Sequence, residues 1–252
     1  ANPHTVTING KSHSNVIIGD VWICAGQSNM GGTLDFEQNF NDSSLNGKPI
    51  RILKARVWYN DEKWNSDPKQ NWDGPDYGPQ DTRDIVTNWE PVNTSDNDTR
   101  KFSMAGLVLA REIYEATGVP VGLMQNAMGG TCVEAWTPQE YFDYPLGRAI
   151  KDSYYKLRAT WSGTEKTGKP QDEPSILYNS LMHHFTNYGV KGFFWWQGEH
   201  NTSSWDEPLK KSTNYRYVLP VFVRAMRDKF VHAESETMPF LILQLHAYGS
   251  HG

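Results

Sequence analysis

Cysteine is nearly absent from the chain, which has two, Cys24 and Cys132, among its 252 residues. Two cysteines cannot provide the several disulfides that hold small secreted scaffolds together, so the fold must depend on an apolar core. A single disulfide between them and two buried free thiols both fit the sequence. We favour the thiols, because a free cysteine commonly packs like a small apolar side chain.

An excess of positive charge is also lacking. The chain has 24 lysines and arginines against 29 aspartates and glutamates, a formal net charge of −5, which argues against a nucleic acid or an anionic membrane surface as partner. No apolar run has the length of a membrane span, so no membrane-spanning helix is expected. The eight histidines lack the spacing of metal ligands, and neither a metal site nor a cofactor is predicted.

What the chain does contain is an alternation of apolar strands and amphipathic helices. Its length suits one α/β domain. Because each strand is apolar throughout, the sheet is predicted to be mostly parallel and covered by helices on both faces. Strands are predicted at residues 5–8, 16–25, 52–59, 121–126, 190–196 and 240–245. Helices are predicted at residues 104–116, 146–161, 176–188 and 215–230.

The apolar strand before residue 26 ends in the run Gly26-Gln27-Ser28-Asn29-Met30. A glycine after such a run predicts a tight turn at the carboxyl end of a strand, and this is the edge at which open α/β folds bind their ligands. Ser28 is therefore a candidate nucleophile. A serine hydroxyl reacts only if a base accepts its proton and nearby donors stabilise the oxyanion that forms.

Two further strand ends contain potential donors. Gly129 and Gly130 form a turn after one strand, and glycines leave backbone N–H groups uncovered. Gln197 directly follows the next strand along the chain and has a side-chain amide. The N–H groups of Ser28 and Gly130 and the Gln197 amide are together predicted to form an oxyanion hole.

Three blocks of the sequence resemble those of the sialate O-acetylesterase family, one of the SGNH-type esterase families. The blocks are residues 19–30, 129–136 and 196–199, and the similarity extends over about residues 16–245 in the family's order. The resemblance implies a three-layer α/β/α fold with a doubly wound, mostly parallel sheet. It also implies a hydrolase that removes acetyl groups from sugar hydroxyls, typically on sialic acid.

By position, the resemblance assigns the nucleophile to Ser28 and the oxyanion donors to Ser28, Gly130 and Gln197. It implies supporting roles for Gln27, Asn29, Gly129 and Glu199. Glu199 would orient the third block rather than act as the base. Asn126 stands where the family more often has serine, and no role is assigned to it.

The same resemblance places the catalytic base in an Asp-x-x-His block downstream of the strand predicted at residues 240–245, and no such block occurs in this sequence. We therefore expect the base outside this chain, on a second chain or in a further part of the protein. Residues 1–18 are expected to be strands at the end of a missing β-rich region, and residues 19–252 an esterase domain incomplete at its C-terminal end. In-chain substitutes are less favoured: His183, His184, His200, His246 and His251.

Four Asn-x-Ser/Thr sequons indicate a secretory route and hence a secreted or lysosomal protein. They begin at Asn41, Asn93, Asn97 and Asn201. The chain is also rich in aromatic residues, with 10 Trp, 12 Tyr and 10 Phe, most of which are expected in the core. Trp72 and Trp89 lie in a long polar segment, where they are predicted to contact a sugar substrate.

Two functions fit these features. The first is a serine esterase acting on an O-acetylated glycan. The second is a catalytically inactive homologue that binds glycans or serves as an extracellular structural protein, since a fold does not fix a function. The joint presence of Ser28, Gly130 and Gln197 favours the esterase.

Overall fold

The computed structural model describes residues 3–34, 43–54, 88–160, 173–202, 211–231 and 237–246. Its strands are β1 (His4–Ile8), β2 (Lys11–Val16), β3 (Asp20–Gly26), β4 (Ile50–Lys54), β5 (Glu90–Pro91), β6 (Val121–Ala127), β7 (Gly192–Trp196) and β8 (Phe240–Ile242). Its α-helices are α1 (Asn97–Arg100), α2 (Met104–Thr117), α3 (Val133–Trp136), α4 (Pro145–Thr160), α5 (Glu199–Thr202) and α6 (Lys211–Lys229).

Six of these strands form one sheet in the order β5-β4-β6-β3-β7-β8. All neighbours in it run parallel except β4 and the two-residue β5. Parallel strands need crossover connections, and here helices provide them. The mostly parallel sheet predicted from the sequence is confirmed.

Helices cover both faces of this sheet. Successive side chains of a strand point to opposite faces, so Ile23 and Cys24 of β3 belong to different apolar cores. Ile23 lies in the core that includes Phe222 of α6, whereas Cys24 lies in the core that includes Leu107 of α2. The predicted three-layer α/β/α architecture is therefore confirmed.

Local signals explain the bounds of α2. Ser103 Oγ accepts a hydrogen bond from Gly106 N at 3.2 Å, which caps the first turn. Gly118 ends the helix with a φ of +70°, a left-handed conformation that glycine adopts without strain. The helix predicted at residues 104–116 is thus confirmed to within one residue.

The strand predicted at residues 16–25 is wrong in its first part. β1 and β2 form a separate antiparallel hairpin whose turn residues Asn9 and Gly10 both have positive φ. The chain leaves β2 at Val16 and enters the main sheet only at Asp20. Ile18, between them, is 72% exposed, so the apolar letters there do not mark a buried strand.

The helix predicted at residues 176–188 is also corrected. The segment has a π-helical turn at Tyr178–Met182 followed by a 3-10 turn at His183–Phe185. All five residues of the π-helical turn are buried, whereas an amphipathic α-helix buries one face only. The π-helical turn is thus buried on all sides, and the amphipathic α-helix that the sequence predicts is not formed there.

The remaining predicted elements are confirmed with shifted bounds, except that the buried strand predicted at residues 240–245 is a three-residue edge strand whose Leu241 and Ile242 are exposed. Part of the strand predicted at residues 52–59 lies outside the described residues. The helix predicted at 215–230 begins earlier, at Lys211, and contains Pro220. Within the described ranges, no helix has the length and apolarity needed to cross a membrane.

Trp89 lies near the amino-terminal end of β6, whereas the substrate is predicted to bind at the carboxyl-terminal ends of the strands. Its ring is 3.1 Å from where a Cβ of Gly122 would stand, and Gly122 is near the start of β6, about 16 Å from the carboxyl end of that strand at about 3.3 Å per residue. Trp89 also packs against the α6 side of the core. The predicted sugar contact by Trp89 is therefore wrong, and Trp72 lies outside the described residues.

We expect Trp89→Ala to lower the free energy of unfolding by about 2 kcal/mol, since a half-buried aromatic ring is lost from the packing on β6. The KM for substrate should stay unchanged. Urea unfolding combined with steady-state kinetics tests both statements. A raised KM at unchanged stability would restore the original substrate-contact prediction.

Candidate active site

The carboxyl ends of three neighbouring strands meet at one point on the edge of the sheet. β3 pairs with β6 on one side and with β7 on the other, and Gly26 is level with Ala127 and Trp196. Because the chain crosses from one side of β3 to the other between β6 and β7, this is a switch point of the kind where open α/β sheets bind ligands. Three segments surround it: the serine turn (residues 27–31), the glycine turn (residues 128–131) and the glutamine loop (residues 197–202, including α5).

The serine turn is anchored through its backbone and exposes its hydroxyl. Gln27 N donates to Trp196 O at 3.0 Å, and Gly31 N donates to Gln27 O at 3.0 Å. Gln27 is buried, whereas Ser28 and Asn29 are exposed. The turn therefore presents Ser28 to an incoming ligand at the end of the central strand.

The glycine turn lies directly against the serine turn. Met128 N donates to Gly26 O at 3.0 Å, and a Cβ placed on Gly129 would stand 3.6 Å from Ser28 Cβ. Gly130 has a φ of +67°, the left-handed region that favours glycine. The two glycines thus bring uncovered backbone next to the candidate nucleophile.

The Gln197 carboxamide is buried and already hydrogen-bonded. Its Nε2 donates to Thr131 O at 2.8 Å and to Asn201 Oδ1 at 2.6 Å. Its Oε1 is buried without a partner in the described part of the chain. Both amide hydrogens are therefore in use, and donation to a substrate oxyanion requires one of these bonds to open.

The predicted supporting residues connect the serine turn to the glutamine loop. Gln27 Oε1 accepts from Gly198 N at 3.3 Å and from His200 N at 3.2 Å. Asn29 Nδ2 donates to Glu199 Oε1. These contacts fix the residues on both sides of Ser28 to a single loop.

Sequence reasoning missed a buried pair next to the site, Glu134 and Asn201. Asn201 Nδ2 donates to Glu134 Oε2 at 2.8 Å, and Asn201 Oδ1 accepts from Val133 N at 3.0 Å. The available signal was Glu134, an acidic residue inside an otherwise apolar stretch of the second block. Asn126, to which no role was assigned, is buried with Nδ2 3.3 Å from Met182 Sδ.

The histidines of the chain are distributed around the fold. His200 is half-buried in α5, His246 is exposed beyond β8, and His183 and His184 occupy the 3-10 turn after the π-helical turn. His251 lies outside the described residues. No group of His, Cys, Asp or Glu in these ranges is arranged to hold a metal ion.

Neither cysteine forms a disulfide and both are buried, which confirms the favoured alternative of two buried thiols. Burial raises the pKa of Cys24 to about 12, so its thiol stays protonated near neutral pH. Cys24 packs 3.0 Å from where a Cβ of Gly106 would stand. It therefore acts as a core residue between β3 and α2.

The four sequons differ in accessibility. Asn97 is exposed at the start of α1, Asn93 is half-buried with its Oδ1 accepting from Ser95 N, and Asn41 lies outside the described residues. Asn201 is fully buried, and the nitrogen that would carry a glycan donates to Glu134. The predicted glycan at Asn201 conflicts with this fold.

We expect peptide mapping of the protein secreted from a eukaryotic host to find Asn201 unmodified. Attaching a sugar to Nδ2 would remove a buried hydrogen bond to a carboxylate and place a bulky polar group inside the protein. Asn97 is the matched control, since its side chain is exposed. A glycan found on Asn201 of the folded protein would contradict the buried position of this side chain.

Comparisons with known proteins show the family to which the chain belongs. A family model described as "Carbohydrate esterase, sialic acid-specific acetylesterase" matches residues 18–251. Sialate O-acetylesterases of Pongo abelii and Homo sapiens are each 26% identical over 247 residues, covering 91% of this chain and 40% of theirs. The chain thus spans about two fifths of the length of these curated relatives.

A solved carbohydrate acetylesterase from Xanthomonas citri has the same fold, with a TM-score of 0.66 at 24% identity over 95% of this chain and 45% of that one. The family model covers nearly the whole sequence, including all three turns around the switch point. The chain therefore belongs to the family of sialic acid-specific acetylesterases, which are carbohydrate esterases.

Proposed function

We propose that this chain carries the nucleophile and oxyanion donors of a serine esterase that removes O-acetyl groups from sialic acid or another sugar. The observation that carries the proposal is the position of Ser28, which is exposed at the end of the central strand with Gly129 against its Cβ. Relatives that are 26% identical are named sialate O-acetylesterases, which supports the acetyl ester as the substrate.

In the first step, Ser28 Oγ attacks the carbonyl carbon of the acetyl group while a base accepts the hydroxyl proton. The carbonyl oxygen becomes an oxyanion. The intermediate then collapses, the bond to the sugar oxygen breaks, and that oxygen takes the proton back from the base. A free sugar hydroxyl leaves, and the acetyl group remains on Ser28.

The backbone N–H groups of Ser28 and Gly130 are the proposed resident donors to the oxyanion. They come from two turns that touch, and neither needs a side chain to rearrange. Gln197 is the proposed third donor, and it acts once the oxyanion replaces one of the two carbonyl acceptors that its Nε2 has at rest. An anion is a stronger acceptor than a neutral carbonyl, which favours that exchange.

In the second step, the same base activates a water molecule that attacks the acetyl-serine ester. The bond between the acetyl group and Ser28 Oγ breaks, acetate leaves, and Ser28 regains its proton. We place the base in an Asp-x-x-His block outside this chain, either in another part of a longer protein or on a second chain.

The test is to treat the native protein with a fluorophosphonate probe and to map the labelled peptide. We expect the probe on Ser28, together with release of acetate from O-acetylated sialic acid. The matched control is Ser28→Ala, which removes only the attacking oxygen. Mass mapping of the same material shows whether an Asp-x-x-His segment accompanies the chain.

Absence of labelling and of acetate release in material that contains the Asp-x-x-His segment would overturn the proposal. Binding of an O-acetylated glycan by that inactive protein would instead support the alternative, a glycan-binding homologue. Comparison of acetylated sialic acid with acetylated xylose identifies the sugar. The exposed Asn97 sequon supports a secretory route for the protein.

A further inference from the structure

One buried asparagine joins the glutamine loop to the helix that follows the glycine turn. Asn201 of α5 is fully buried, and its Oδ1 accepts from Gln197 Nε2 at 2.6 Å and from Val133 N at 3.0 Å. Its Nδ2 donates to Glu134 Oε2 at 2.8 Å. Three of the four hydrogen-bonding positions of this amide are thus occupied.

The chemistry of the partners fixes the orientation of both amides. Val133 N–H can only donate, so the Asn201 atom that faces it must be Oδ1. Asn201 Nδ2 then faces Glu134, whose carboxylate accepts. Gln197 faces two acceptors, Thr131 O and Asn201 Oδ1, so its nitrogen is the atom directed at them.

We propose that Asn201, held by Glu134, is a positioning residue of the esterase site, a role that rests on the function proposed above. It orients the Gln197 carboxamide and holds α3, directly after the glycine turn, against the glutamine loop. The glycine turn and the glutamine loop carry two of the three proposed oxyanion donors, and Asn201 connects residues that adjoin both.

A loss of this connection has a direct cost for the Gln197 carboxamide. Of its two hydrogen bonds to Thr131 O and Asn201 Oδ1, Gln197 Nε2 would keep only the one to Thr131 O. The carboxamide can then rotate about its side-chain torsions. A displacement of about 1 Å in a catalytic group can reduce a rate by about a hundredfold.

Asn201→Asp tests the role with almost no change in shape. The carboxylate still accepts from Gln197 and Val133, but its second oxygen replaces a donor 2.8 Å from Glu134 Oε2. Two carboxylates at this distance share one proton, and the pKa of the pair rises. In acid the shared proton preserves the contact. As pH rises through the raised pKa, the proton is lost and the two carboxylates repel.

The expected result is therefore pH-dependent. The ratio of variant to wild-type kcat should be near one at pH 5 and fall about ten- to a hundredfold by pH 9, with KM changed by less than about twofold. Tyr144 and Tyr215 are near Glu134, and burial raises the pKa of both, that of Tyr215 to about 12, so neither titrates in this range. Glu199 and His200 precede Asn201 in α5 and are present in both wild type and variant.

The double variant Asn201→Asp with Glu134→Gln exchanges the two partners. The glutamine amide introduced at position 134 donates to the new aspartate, so the contact is restored with the charge moved to the other side. We expect kcat at pH 9 to recover to within about threefold of wild type. If Asn201 had only a structural role, kcat would fall in proportion to the fraction of protein that is unfolded. The melting temperature is therefore measured for each variant, and kinetics are run well below it.

Asn187→Asp is the matched control, because it adds the same charge at an exposed position before the start of β7, at the opposite end of that strand from the site. An active wild type with an Asn201→Asp variant that keeps full kcat up to pH 9 would overturn the positioning role alone. A double variant that regains its melting temperature without its kcat would do the same. All variants are therefore compared in material that contains the Asp-x-x-His segment, and a wild type that is inactive in that material would overturn the proposed function, and the positioning role with it.

Discussion

Replacing Ser28 by alanine is expected to lower kcat/KM for an O-acetyl ester by about four orders of magnitude or more, the effect that loss of the nucleophile has in serine hydrolases. The variant lacks the oxygen that attacks the acetyl carbon, and a water molecule in its place is not held by the serine turn. Because Ser28 is exposed, the free energy of unfolding should change by less than about 0.5 kcal/mol. Initial rates of acetate release and urea unfolding measure the two quantities.

Ser12→Ala is a matched control for this substitution. Ser12 is exposed on the hairpin, where its hydroxyl lies 3.0 Å from that of Thr7, and it belongs to the small separate sheet. The control should retain full activity. If Ser28→Ala kept more than about a tenth of the wild-type rate, the nucleophile would have to be another group, since a missing nucleophile does not cost so little.

The elements that could be predicted from the sequence are those with local causes. Ser103 and Gly118 mark the two ends of α2 through contacts within one turn, and both signals are visible in the letters alone. The glycine that ends β3 and the glycines after β6 are similar signals, since a turn at a strand end needs them whatever surrounds it. The three segments of the candidate site were therefore identifiable before any contact between them was known.

The rest depends on contacts between residues far apart in the chain. Asn201 matches a glycosylation sequon locally, but a hydrogen bond to Glu134, 67 residues away, buries it. Trp89 lies in polar sequence, yet it packs on Gly122 across the sheet. The resting partners of Gln197 are another such case, because Thr131 reaches it from the glycine turn. The pattern of neighbouring residues in the sequence does not show which residues distant in the chain come into contact.

Gly26→Ala is the second change with a large expected effect, and its cause is the close approach of β3 to β7. A Cβ at Gly26 would stand 2.0 Å from Trp196 O and 2.6 Å from Trp196 C, and the residue has a φ of +148°. Both neighbouring atoms belong to the backbone, so no side chain can move aside. The same carbonyl accepts the hydrogen bond from Gln27 N that anchors the serine turn.

We therefore expect Gly26→Ala to lower the free energy of unfolding by about 3 kcal/mol or more, since the strands must separate or the backbone must take up the strain. Gly118→Ala is the control, because it has a φ of +70° but no atom within 4 Å of an added Cβ, and strain alone should cost about 1 kcal/mol. Urea unfolding gives both values. Equal losses in the two variants would mean that the contact with Trp196 is not the cause.

The folded fraction of Gly26→Ala should also label more slowly with a fluorophosphonate than wild type, because displacement of Trp196 O releases the anchor directly before Ser28.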